Sequence, residues 1–219
     1  VRLIQAVSGE ADIGWFLQGG TLGAESIREA LARHGVEVAG LRAILDFGCG
    51  CGRVIRHWAH LAGAVHGSDY NPSLVSWSRE HLPFGRFAVN GLVPPLSYAD
   101  RSFDLVYALS VFTHLPADLQ VPWARELHRI LRPAAFLLLS VHGRRYLHEL
   151  DGESRARFEA GELVVRRADS PGENVCGAYH PEAYLREVLA GGFEVLEIAP
   201  EGAWGNPYQD LVLLRKTAS

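Results

Sequence analysis

Leu45-Asp46-Phe47-Gly48-Cys49-Gly50-Cys51-Gly52-Arg53 joins two different hydrophobic rhythms. Before it, Leu41 to Phe47 is short, apolar and strand-sized. After it, Val54, Ile55, Trp58 and Leu61 return at helical spacing. Glycines at 48, 50 and 52 let the backbone turn tightly and come close to a ligand. A strand, a glycine loop and a helix in that order open a βαβ unit, and open parallel sheets bind ligands at the carboxyl ends of such strands. The spacing is G-x-G-x-G with an acid just ahead of it. That departs from the G-x-G-x-x-G of dinucleotide sites, and a pyrophosphate would meet the like charge of Asp46.

Outward from this loop the chain alternates. Residues 23–34 form a helix ending at Gly35. Ala64 to Ser68 is a second strand, and Asn71-Pro72 starts a helix with Asn as cap and Pro at its first position. Arg86 to Val89, Phe103 to Leu109 and Ala134 to Val141 are further strands. Helices run over Pro116 to Leu131 and Pro181 to Leu189, and Phe193 to Ile198 and Asp210 to Leu214 close the chain. The expected fold is α/β: a doubly wound, mostly parallel seven-stranded sheet with helices on both faces and a C-terminal antiparallel hairpin. Residues 1–219 read as one domain. Residues 1–40 form an N-terminal helical cover, 41–142 the ligand-binding core, 143–180 an insertion of lid size, and 181–219 the last helix and hairpin.

Composition narrows the possibilities. The chain has 219 residues, a formal net charge of −4 and 48% hydrophobic residues, enough to bury a core without staples. Near-balanced charge argues against a large phosphate-binding surface, so no nucleic-acid partner is expected. No apolar run reaches the ~18 residues of a membrane span, and nothing near the start resembles a signal peptide. Cys49, Cys51 and Cys176 make an odd count without C-x-x-C, which points to a reducing, cytoplasmic setting. His57 and His60 lack completing ligands, so no metal is expected. The chain starts at Val1 with no Met anywhere, which suggests processing, trimming or excision from something longer.

Asp69 ends the second strand about 20 residues after the glycine loop, where an acid accepts hydrogen bonds from ribose hydroxyls. Together these residues resemble the class I S-adenosylmethionine-dependent methyltransferases. LDFGCGCGRV is similar to their first motif and GSDYNPSLV to their second. SYADRSFDLVYALSVFTHL resembles the stretch through the fourth strand, and ELHRILRPAAFLLLSVHG the approach to the fifth. The flavour is that of small-molecule enzymes of the ubiquinone/menaquinone type. Pro133-Ala134-Ala135 replaces a Pro-Gly-Gly, and Asn90-Gly91-Leu92 replaces the usual aspartate after the third strand. The resemblance implies that Gly48, Cys49, Gly50, Gly52 and Arg53 form the cofactor loop, with Asp46 near the methionine ammonium. Asp69 takes the ribose, and Tyr70, Asn90, Gly91 and Leu92 border the adenine. Leu109 and Ser110 lie near the transferred methyl.

Methyl transfer needs alignment above all, and a hydroxyl or phenol acceptor needs a base as well. His114, just past the fourth strand, is the candidate. Trp15 and Phe16 from the N-terminal stretch, and Tyr146, Tyr179 and His180 from the insertion and its edge, are candidate acceptor contacts. Asp104 sits at the wrong end of its strand for catalysis. Asn206-Pro207-Tyr208 reads as a turn in the final hairpin. The expectation is methyl transfer from S-adenosylmethionine to a small-molecule acceptor, with the methylated atom (O, N or C) and the oligomeric state left open. The alternatives are a non-catalytic cofactor-binding partner subunit, a nicotinamide-dependent oxidoreductase, or an enzyme acting on RNA or protein.

Overall fold

The computed structural model describes residues 2–8 and 11–217. Two helices, α1 (Arg2–Ser8) and α2 (Ile13–Arg33), precede the sheet. Five parallel strands follow: β1 (Ala43–Phe47), β2 (Ala64–Asp69), β3 (Gly85–Val89), β4 (Phe103–Ala108) and β5 (Leu131–Val141). Helices α3 (Pro72–His81) and α4 (Ala117–Ile130) serve as crossovers. The insertion contributes α5 (Gly152–Glu159) and the short strands β6 (Val164–Arg166) and β7 (Gly177–Tyr179). α6 (Glu182–Tyr184) runs on into a π-helical turn, Leu185–Leu189, and β8 (Phe193–Ala199) and β9 (Asp210–Lys216) complete the sheet.

The sheet order is β3-β2-β1-β4-β5-β9-β8, with β9 antiparallel to both β5 and β8. The order reverses between β1 and β4. The loops leaving those two strands therefore diverge and open a cleft at their carboxyl ends.

Burial explains the doubly wound arrangement. β1 is buried along its whole length, as a strand covered on both faces must be. Phe47, Phe112, Trp123 and Leu127 pack on one face, under α4. Ile27, Leu31, Ile55, Trp58 and Tyr107 pack on the other, under α2 and α3. Asp12 caps α2 by accepting from the Trp15 backbone N–H at 3.0 Å, and Asn71 caps α3 through the Ser73 N–H at 3.0 Å.

Three sequence expectations shift. The helix expected over Val54 to Leu61 is a set of turns around one 3-10 turn, Ile55–Trp58. Its apolar spacing serves burial of Ile55 and Trp58 rather than a regular helix. α2 begins ten residues earlier than expected, so Trp15 and Phe16 lie within it. β5 begins at Leu131, directly after α4, because Leu131 pairs with Phe103 before the register shifts.

Trp58 is fully buried and donates its indole N–H to the Tyr107 hydroxyl at 2.9 Å. Trp58→Ala should cost about 3 to 5 kcal/mol in urea unfolding, the usual range for emptying a large aromatic site. A loss below about 1 kcal/mol would show that this core face collapses to fill the space.

Candidate active site

The glycine loop is held in place from β2. Gly48 N and Cys49 N both donate to the Ser68 carbonyl, at 2.8 and 3.0 Å. Gly50 N donates to Asp69 Oδ2 at 2.9 Å, and Asn71 N to Asp69 Oδ1 at 2.8 Å. Gly50 sits at φ +54, and a Cβ there would lie 2.6 Å from Val7 of α1. Only glycine suits that combination of left-handed backbone and close cover. Burial raises the Asp69 carboxyl, and the Asn71 and Gly50 N–H groups pull it back.

Asp46, at the end of β1, is buried and accepts from the Tyr107 hydroxyl at 2.8 Å, so Trp58, Tyr107 and Asp46 form one directed chain. Burial pushes the Asp46 carboxyl up to about 7, against the pull of Tyr107 and Arg53. Arg53 is itself held by the turn between β8 and β9, donating to the Gly205 carbonyl at 2.8 Å and to Asn206 Oδ1.

Ser110, two residues past the end of β4, adopts φ +58. Its N–H donates to Ser140 Oγ at 2.6 Å, and its hydroxyl accepts from Gln209 Nε2 at 3.0 Å. His114 Nε2 lies 3.5 Å from the same hydroxyl. His114 Nδ1 is 2.7 Å from the Cys176 carbonyl, which can only accept. The neutral ring therefore carries its proton on Nδ1 and presents a bare Nε2. Burial holds His114 below its ordinary pKa, which favours that neutral form.

One cleft collects most of the sequence candidates. Asp46, Gly48, Cys49, Gly50, Arg53, Asp69 and Tyr70 line it, with Asn90, Gly91, Leu92, Leu109, Ser110 and His114. Gly52 does not; it turns toward Leu82. Asn90 Nδ2 donates to the Gly91 carbonyl at 2.8 Å, while its Oδ1 is buried with no partner among the described residues. A carbonyl oxygen in that state suits an amino donor on a ligand. The fit to an adenosyl amino acid is therefore good: a glycine cradle, an acid at each end and an open acceptor.

Residues 45–139 match the model of a methyltransferase domain. Over that stretch the chain is similar to a methyltransferase domain, and its fold is that of the class I S-adenosylmethionine-dependent methyltransferases. It is 29% identical over 166 residues to an Encephalitozoon cuniculi protein whose name assigns it to the methyltransferases, covering 72% of this chain and 73% of that one. It is 33% identical over 101 residues to the 2-methyl-6-phytyl-1,4-hydroquinone methyltransferase of Synechocystis, covering 44% of this chain and 31% of that enzyme's length. An S-adenosylmethionine-dependent methyltransferase from Mesorhizobium loti shares the fold, with TM-score 0.65 and 22% identity over 89% of this chain and 100% of that one.

The expected acceptor contacts do not line this cleft. Trp15 lies on the outer face of α2, partly exposed, and Phe16 is buried against Cys51 and Leu74 with Arg56 over its ring. Helical periodicity, not ligand contact, places both. Tyr146 donates to the Pro207 carbonyl at 2.6 Å and lies against His142, their ring centroids 4.0 Å apart. Tyr179 donates to Glu149 at 2.8 Å. His180 is buried beside Gln120 Oε1, at 3.1 Å, and burial takes its pKa down to about 3. Tyr146 and His180 thus tie the insertion to the loop between β8 and β9 and to α4, and Tyr179 braces it internally.

Other residues of the insertion reach the cleft instead. Gly172 and Asn174 line it. Gly172 N donates to the His114 carbonyl at 2.8 Å, and the Tyr70 hydroxyl donates to the Gly172 carbonyl at 3.1 Å. Residues 170–176 thus form a strap tied to both ends of the cleft. Val7, Val111 and Trp123 also line it. Sequence reading missed Ser140 and Gln209 because no local motif marks them; only the β5–β9 pairing brings them together. Tyr70→Phe should raise amide hydrogen exchange across residues 170–176 about fivefold, the loss of about 1 kcal/mol of closure. Unchanged exchange would mean that the tyrosine does not hold the strap.

Proposed function

We propose that this chain transfers a methyl group from S-adenosylmethionine to a small-molecule acceptor in the cleft between β1 and β4. The observation that carries the reading is the paired carboxylates. Asp46 and Asp69 end adjacent strands, face one cleft and flank a glycine loop whose own N–H groups are already organised. In this reading Asp46 meets the ammonium of the methionine part and Asp69 the ribose hydroxyls. Tyr70 and Leu92 border the adenine, and Asn90 Oδ1 accepts from its amine. Arg53 sits behind Asp46 and favours its ionised form. When bound, S-adenosylmethionine supplies a methyl group on a sulfonium, already a good leaving group. The chain then has to align the acceptor and exclude water, which Trp123, Leu109 and Val111 do as apolar walls. His114 Nε2 is the base that takes up a proton when the acceptor carries one. The hydroquinone for which the Synechocystis relative is named is a protic acceptor of that kind. Among the described residues no helix is long and apolar enough to cross a membrane.

Titration calorimetry with S-adenosylhomocysteine tests the reading. Saturable binding at one site is expected, with no heat from NAD. Binding of NAD alone would favour an oxidoreductase and end this proposal.

A further inference from the structure

The hydrogen bonds around Ser110 have a direction, and three groups at their ends fix it. The first is the Ser110 backbone N–H, which can only donate, and it donates to Ser140 Oγ at 2.6 Å. The second is the Pro207 carbonyl, which can only accept, and it takes the Tyr146 hydroxyl proton at 2.6 Å. The third is the Cys176 carbonyl, which takes the His114 Nδ1–H at 2.7 Å.

Gln209 lies between the first two. Ser140 Oγ donates to Gln209 Oε1 at 2.7 Å. The amide nitrogen therefore faces the other way, toward Ser110 Oγ at 3.0 Å and the oxygen of Tyr146, whose own proton is already committed. Ser110 Oγ consequently accepts from Gln209, and its own proton is left to point elsewhere. Two acceptors are near: Thr113 Oγ1 at 3.4 Å and His114 Nε2 at 3.5 Å. Nε2 has only a lone pair to offer, since Nδ1 holds the ring proton. Gln209 is buried, comes from the start of β9 and does not line the cleft.

We propose that Gln209 is a positioning residue that sets the polarity of this chain, leaving the Ser110 hydroxyl free to donate toward His114 Nε2. The inference rests on the methyltransferase reading for its purpose but not for its geometry. Its consequence is a path for one proton. As a protic acceptor's oxygen forms its bond to the methyl carbon, the carbon–sulfur pair returns to sulfur. The acceptor's proton goes to Ser110 Oγ while the serine's own proton passes to Nε2, giving an imidazolium that later releases it to water. The slack of 3.5 Å leaves room for this bond to tighten when an acceptor enters. With Gln209 turned over, Ser110 would donate away from the histidine and the path would be cut.

The test is the imidazole titration of His114, followed by nuclear magnetic resonance in the protein without acceptor. The titratable group that faces His114 is His142, from the end of β5, with ring centroids 6.3 Å apart. Gln209→Glu replaces the amide by a group that accepts from both Ser140 and Ser110. The Ser110 hydroxyl then turns toward the new carboxylate and shows its lone pairs to Nε2, which favours the protonated ring. The expected result is a rise in the His114 pKa of about one unit, a tenfold shift in the protonation equilibrium. In a Ser110→Ala background the same substitution should move it by less than about a third of that. Equal shifts in both backgrounds would mean that the charge acts through space, and no shift would mean no connection; either result overturns the proposal.

Gln209→Met serves if the carboxylate unfolds the protein. It removes the donor to Ser110, and the His114 Nε2 nitrogen resonance should move toward that of an unbonded ring nitrogen. An unmoved resonance overturns the proposal. Binding of S-adenosylhomocysteine is measured alongside. Its absence in the unsubstituted protein would count against the methyltransferase reading and leave the Gln209 result standing.

Discussion

Asp69→Ala should weaken S-adenosylhomocysteine binding by about 100-fold or more, roughly 3 kcal/mol. Two losses add. The direct one is the ribose contact, a hydrogen bond to a charged acceptor. The indirect one is the anchor of the glycine loop. Asp69 accepts from Gly50 N at 2.9 Å and from Asn71 N at 2.8 Å, and so ties that loop to the start of α3, while Ser78 Oγ of the same helix donates to the Gly50 carbonyl at 3.3 Å. A carboxylate has about four lone-pair sites, so each oxygen serves a backbone N–H and keeps one site for a ligand hydroxyl. Asp69→Asn should be intermediate, because its carbonyl oxygen keeps one backbone partner while its NH₂ meets the other N–H. Calorimetry that finds Asp69→Ala unchanged would remove this residue from the site.

The second large effect is a pH dependence of cofactor binding. Burial holds the Asp46 carboxyl at about 7, above its ordinary 3.8. An ammonium partner binds the ionised form. Below neutrality the proton must first be removed, so affinity should fall about 50-fold between pH 7 and pH 5. Asp46→Asn should bind more weakly at pH 7 and lose most of that slope. A wild-type profile as flat as the variant's would contradict the assignment of Asp46 to the ammonium.

The same shift has a stability consequence of opposite sense. The folded pKa is raised, so the folded state favours the protonated acid. This contribution is fully present below about pH 3.8 and is lost as pH rises through the window up to about 7. Without cofactor at neutral pH, Asp46→Asn should therefore be more stable than the wild type by about 1 to 3 kcal/mol. The carboxylate that binds best is the one the free protein holds least comfortably.

Much of this architecture was legible in the sequence because it is local. LDFGCGCGR marks its own strand, turn and cleft, and Asn71-Pro72 announces the cap of α3. Asp69 could be placed because its distance from the loop is a property of the βαβ unit. The acceptor end was not legible for the opposite reason. Tyr146, Tyr179 and His180 are aromatic or ionisable residues in the right segment, but the insertion uses them for its own bracing and attachment. What reaches the cleft from it is Gly172 and Asn174, which carry no signature in a run of turn residues. Ser140 and Gln209 are 69 residues apart and meet only through antiparallel pairing. Helical spacing at 54–61 misled because buried turns can present the same apolar rhythm as a helix.

A crystal structure of the protein with S-adenosylhomocysteine tests the central claim most directly. The ribose hydroxyls should lie on Asp69, the ammonium beside Asp46, the adenine between Tyr70 and Leu92 with its amine on Asn90 Oδ1, and the sulfur should face Ser110 and His114. A ligand bound elsewhere, or one in the cleft with Asp46 and Asp69 both out of contact, would contradict it.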